Sequence, residues 1–123
     1  MNEEKIRVSI SIDIRKYRIR IHKSTLNQLG PPAYIQLLIN PTNGIIAIQG
    51  LEKRCNEAHA VSFTRLKTDN SYELYSQQLI TILVPLLPES DSGCTYRLTG
   101  EVHIDEKTAL FPLNTIQRVE GGV

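Results

Sequence analysis

Several things are scarce in this chain, and each scarcity excludes a class of protein. Tryptophan is absent, and five tyrosines and two phenylalanines are the whole aromatic content, so stacking platforms for unpaired bases are few. There are two cysteines, Cys55 and Cys94, without the CxxC spacing that sets two sulfurs on one metal ion or one redox bond. Two free thiols are expected. The longest apolar runs, Tyr34 to Ile39 and Leu79 to Leu87, are too short to span a bilayer as a helix. The first residues, Met1-Asn2-Glu3-Glu4-Lys5, are acidic where an export signal is basic and then apolar, so a cytoplasmic protein is expected, with no membrane association.

Chemistry-bearing motifs are missing as well. His22, His59 and His103 have no HxxxH or HExxH spacing to put two imidazoles on one ion. Cys55 and His59 stand four residues apart, but two ligands do not close a tetrahedral site. There is no GxSxG elbow, no Cys/His nucleophile signature and no phosphate-cradling loop; Gly93 and Gly100 are isolated. Asp105-Glu106 falls in a turn signal, where a solvated pair is the ordinary expectation. A non-enzymatic protein with no cofactor, no metal and no small-molecule ligand is the expectation.

What is present suits one globular domain over residues 1–123. Of 123 residues, 41% are hydrophobic and 22% charged, near the globular average, and the length suffices for a single core. The net charge is +1 but unevenly spread. Residues 1–23 hold seven basic side chains against three acids, and the rest of the chain seven against ten. The basic end permits an anionic partner such as nucleic acid.

From Lys5 to Ile14 the sequence alternates, with Ile6, Val8, Ile10, Ile12 and Ile14 on one side; that period of two predicts a half-buried strand. After Arg15-Lys16 the parity flips, with Tyr17, Ile19 and Ile21 apolar. A flip needs a turn or a bulge, so two strands joined at Arg15-Lys16 are predicted, one continuous bent strand being the alternative. Ser24 is a candidate cap for a short helix closed by Gly30-Pro31-Pro32. Ala33 to Asn40 and Ile45 to Gln49 flank Pro41-Thr42-Asn43-Gly44, a hairpin signal. Leu51 to His59 reads as a linker or a short helix. Beyond it, strands are predicted over Ala60 to Leu66 and Ser71 to Tyr75 around a turn at Lys67 to Asn70. A helix capped by Ser76 over Gln77 to Leu83 follows, then a hairpin of Cys94 to Ile104 and Ala109 to Leu113.

The fold class expected is therefore α+β, mostly antiparallel sheet with two short helices. Both 5–50 and 59–114 read ββαββ, a degenerate internal repeat that would make the chain a pseudo-dimer. Amphipathic stretches match one another by periodicity alone, so coincidence stays open.

The run Tyr17-Arg18-Ile19-Arg20-Ile21-His22-Lys23, with Leu26, Leu29 and Gly30 and the hairpin from Ile35 to Ile48, is similar to the AbrB-like (SpoVT/AbrB) swapped-hairpin domain. The tandem arrangement resembles its MraZ subfamily. The resemblance implies a DNA-binding transcription regulator contacting the duplex through Arg15, Lys16, Arg18 and Arg20. This chain departs from the pattern with Tyr17 for the turn glycine, His22 for the proline before the helix, and Tyr72-Glu73-Leu74-Tyr75 for a second basic strand. With the flanking Arg7 and Lys23, these basic residues are the candidate nucleic-acid-binding set. The alternatives are an exposed sheet edge kept unpaired by its charges, and a protein-interaction or structural accessory module, self-association included.

Overall fold

The computed structural model describes residues 5–56, 58–61, 70–87 and 95–119. Cys94 and most of the strand and turn predicted over 60–70 lie outside them. The alternating isoleucines form β1 (Lys5–Asp13), which turns back into β2 (Arg18–His22). The Tyr17 N–H donates to the Ile14 carbonyl at 3.2 Å and the Lys16 N–H to Asp13 Oδ1 at 3.2 Å. A tight turn thus absorbs the parity flip, and Ile10 and Ile12 face the same core as Ile19 and Ile21.

Helix α1 (Lys23–Gln28) follows at once. Its cap is His22 rather than Ser24: the His22 Nδ1 accepts the Ser24 N–H at 3.1 Å. The imidazole thereby takes up a helix N–H that would otherwise lack a partner. Strands β3 (Tyr34–Asn40) and β4 (Ile45–Leu51) form the expected hairpin. The stretch after β4 is irregular and leads to β5 (His59–Ala60). Then come β6 (Ser71–Tyr75) and α2 (Gln77–Leu83), where the Ser76 hydroxyl caps the Leu79 N–H at 3.1 Å. Strands β7 (Thr95–His103) and β8 (Thr108–Pro112) make the second hairpin. A 3-10 turn over Leu113–Thr115 leads into an unanticipated β9 (Gln117–Val119).

All these strands belong to one sheet in the order β5-β3-β4-β8-β7-β1-β2-β6, with β9 also on β7. Every pairing is antiparallel. The sheet curls into a nearly closed barrel, so its two end strands meet. There the Tyr72 hydroxyl donates to the Ala60 carbonyl at 3.2 Å. The interior holds Ile12, Ile21, Leu26, Ile46, Tyr96 and Phe111, each at most 1% exposed. Among the described residues no helix is long and apolar enough to cross a membrane.

Candidate nucleic-acid interface

Because β1, β2, β6 and β7 turn alternate residues into the barrel, their intervening residues share one outer face. The register fixes its rows. Tyr75, Arg18, Asp13 and Thr95 lie side by side across four strands; the next row is Glu73, Arg20, Ser11 and Arg97. The middle of the face is small and hydroxylic, with Ser9, Ser11 and Thr99, and cationic side chains stand on either side of it.

Strand β2 is not a sheet edge, since β1 pairs with one side of it and β6 with the other. Solubilising an open edge is therefore not the role of its arginines. They are tied to the neighbouring strands instead. Arg18 Nη2 donates to Asp13 Oδ2 at 3.2 Å, and its Nη1 lies 3.5 Å from Glu73 Oε1. Arg20 Nη2 donates to the same Glu73 oxygen at 2.9 Å. The Tyr75 hydroxyl donates to Glu73 Oε2 at 2.7 Å. This hydroxyl, opposed by desolvation but joined by Arg20 and Arg18, holds the Glu73 carboxyl below its usual value. Partial burial works against the Arg18 charge, yet Tyr75, Glu73 and Asp13 together keep its guanidinium above the ordinary range.

The candidate residues divide accordingly. Arg18 and Arg20 sit on the face, with Arg20 the more exposed of the two at 44% against 16%. Arg15 and Lys16 are exposed in the adjoining turn. Arg7 lies toward the other end of β1, opposite Glu101. With His22, Ser24 and Thr99 it lines an open groove of about 420 Å3. Lys23 begins α1, where its N–H donates to the Asn70 carbonyl at 2.8 Å. The six therefore spread from the β1–β2 turn to the start of α1.

Arg97 was missed in the sequence. It is exposed on β7 and separated from Arg20 only by Ser11, so about 10 Å divides the two backbones. Among the described residues Arg97 forms no ion pair, nor do Arg7, Arg15 and Lys16. The available signal was the alternation of Thr95, Arg97 and Thr99 with Tyr96 and Leu98.

Tyr75, 61% exposed, completes one end of the face, and Tyr17, 45% exposed, lies in the turn next to it. The Tyr17 carbonyl accepts the Ser76 N–H at 2.9 Å, which extends the β2–β6 pairing by one step. Among the described residues no three His, Cys, Asp or Glu side chains converge as metal ligands. Comparison with protein-family models, curated proteins and solved structures finds no match to the chain.

Proposed function

We propose that this chain is a small non-enzymatic regulatory protein that associates with DNA through the outer face of β2, β1 and β7. The observation carrying the proposal is the row Arg20, Ser11, Arg97, continued by Arg18 and the turn residues Arg15 and Lys16. Arginines spaced over a hydroxyl-lined surface suit a run of phosphates, each guanidinium forming charge-assisted hydrogen bonds to phosphate oxygens. The anion would compete with Glu73 for Arg18 and Arg20.

The swapped-hairpin resemblance belongs to the same reading. Exchanging β1 with β5, β2 with β6, β3 with β7 and β4 with β8 carries the β1–β7 pairing onto β3–β5, and β3–β4 onto β7–β8. The β2–β6 pairing maps onto itself, Arg18–Tyr75 trading places with His22–Ser71 about a fixed Arg20–Glu73 couple. Such an exchange supports two ββαββ halves forming a pseudo-dimer in one chain. Tyr17 also has φ 52, the left-handed backbone that the family's turn glycine favours.

The test is fluorescence anisotropy of labelled DNA, duplex and separated strand, at low and near-physiological salt. Binding should weaken linearly with log salt, by about 0.9 log unit per phosphate contact on duplex. Arg20→Gln/Arg97→Gln, which removes both charges without setting a second carboxylate opposite Glu73, should lower affinity at least about tenfold while melting close to the wild type. Absence of binding to either form at low salt would overturn the proposal. It would move a protein partner to first place, a reading favoured by the exposure of Leu38 on β3 and Ile82 on α2, 45% each.

A further inference from the structure

Tyr17 and Tyr75 are two of the exposed large side chains of the protein, and they belong to the same end of the β2–β6 ladder, where Tyr75 pairs with Arg18 and the Tyr17 carbonyl accepts the Ser76 N–H. Neither is there for the core. Tyr17 occupies left-handed backbone at φ 52, where a β-carbon is strained and glycine is not. A bulky residue at such a position, with nearly half its surface in solvent, points to a task for the ring. Tyr75 is still more exposed, yet its hydroxyl is anchored on Glu73 at 2.7 Å, and the Arg18 opposite it is anchored in turn on Asp13 and Glu73. The ring is thus tethered at its polar tip while most of its surface meets water.

We infer that Tyr17 and Tyr75 are stacking platforms for unpaired bases, and that the preferred ligand of this face is a single nucleic-acid strand whose phosphates run over Arg18, Arg20 and Arg97. This rests on the nucleic-acid reading above and narrows it. Exposed tyrosine rings beside arginines supply sequence-tolerant stacking and charge together. A duplex keeps its bases stacked on one another and offers such rings no face except at its ends. Among the described residues the helices are poorly suited to reading a duplex groove: α1 spans six residues and buries Thr25 and Leu26, and α2 (QQLITIL) carries no cation. On the β6 side of β2 the face carries no further cation, because the strand partners of Arg20 and His22 on β6 are Glu73 and Ser71. One backbone is accommodated, and among the described residues no second basic strand awaits its complement.

The experiment titrates the protein into a short labelled mixed-sequence single strand and into the matching blunt duplex at low salt. Tyr17→Gly and Tyr75→Leu are carried alongside, with tyrosine emission and thermal melting as controls. Tyr17→Gly should melt at or above the wild-type temperature because it relieves the turn, so lost binding reports the lost ring rather than a lost fold. Tighter binding to the single strand, quenched tyrosine emission on binding, and an affinity loss of about tenfold in each variant, confined to the single strand, are expected. Equal or tighter duplex binding, or tyrosine variants that hold the single strand like the wild type, would overturn the inference while leaving the arginine face standing. No binding to either ligand would remove both.

Discussion

The described residues of 5–51 and of 59–119 run through the same succession of strands and helix, with β9 added at the end of the second, but are held together by different means. In the first stretch β1 and β2 pair directly, from Ile10–Ile21 to Asp13–Arg18, and β3 and β4 pair without a break from Tyr34–Leu51 to Asn40–Ile45. In the second, β5 and β6 share the bond from the Tyr72 hydroxyl to the Ala60 carbonyl. The partner of β7 is split: β8 pairs from Glu101–Leu110 to His103–Thr108, and β9 resumes from Arg97–Gln117 to Thr95–Val119. Between them the chain loops out through Leu113–Thr115, and the Thr115 hydroxyl fills the gap. It accepts the Thr99 N–H at 3.1 Å and lies 3.0 Å from the Thr99 carbonyl and 2.7 Å from that of Pro112. Among the described residues, the ladders within the first stretch are continuous, whereas within the second the β7 ladder is interrupted and bridged by Thr115. The second should therefore be the more sensitive to single substitutions.

The largest effect is expected at Gly100. A β-carbon there would collide with the Leu110 carbonyl oxygen and lie 2.6 Å from Phe111 Cδ1, and neither the β8 backbone nor a fully buried ring can retreat cheaply. Gly100→Ala should lower unfolding stability by about 3 kcal/mol in urea titrations. The sharper measurement pairs it with Gly50→Ala on β4, whose β-carbon would stand 3.0 Å from the Leu29 carbonyl oxygen. If Gly50→Ala proves the more damaging, the contrast between the two stretches fails. Next comes Thr115→Val, of nearly equal volume, which leaves the Thr99 N–H without its acceptor. A loss of about 1–3 kcal/mol is expected. Hydrogen exchange should quicken first at Thr99, while the β3–β4 amides keep their protection.

These contrasts explain which features could be read in advance. Strand β1 was legible because isoleucine at every second position has one physical solution, and the β3–β4 hairpin because Pro41 to Gly44 cannot continue a strand. The Ser76 cap announced α2. The pairing of β1 with β7 left no local mark, since it joins residues far apart in the chain and depends on barrel closure. The β8–β9 break was hidden for a related reason: Gln117–Val119 is a short, mostly polar strand, and the gap before it is bridged by the single side chain of Thr115. On the candidate face, Arg18 and Arg20 stood out as part of a basic run. Their bond to Glu73 did not, and Arg97 was obscured by lying alone in the acidic part of the chain. Clusters along the sequence were visible, whereas clusters across strands required the register.

The smallest effect is expected at the seam, where the comparison is most exposed to refutation. Tyr72→Phe removes the hydroxyl bonded to Ala60 and keeps the ring, so the loss should be about 0.5–1.5 kcal/mol. Its signature lies in the pH dependence. Burial raises the Tyr72 hydroxyl above its ordinary value, so folding favours the protonated form. That contribution is complete below about pH 10, where the unfolded chain's tyrosine also keeps its proton, and declines as pH rises toward the folded value. Subtracting the stability of Tyr72→Phe from that of the wild type should give a positive difference that is flat at neutral pH and shrinks above about pH 10. A difference that stays constant into the alkaline range would mean that the hydroxyl does not hold the seam, and the barrel would then have to be closed by contacts other than the Tyr72–Ala60 bond.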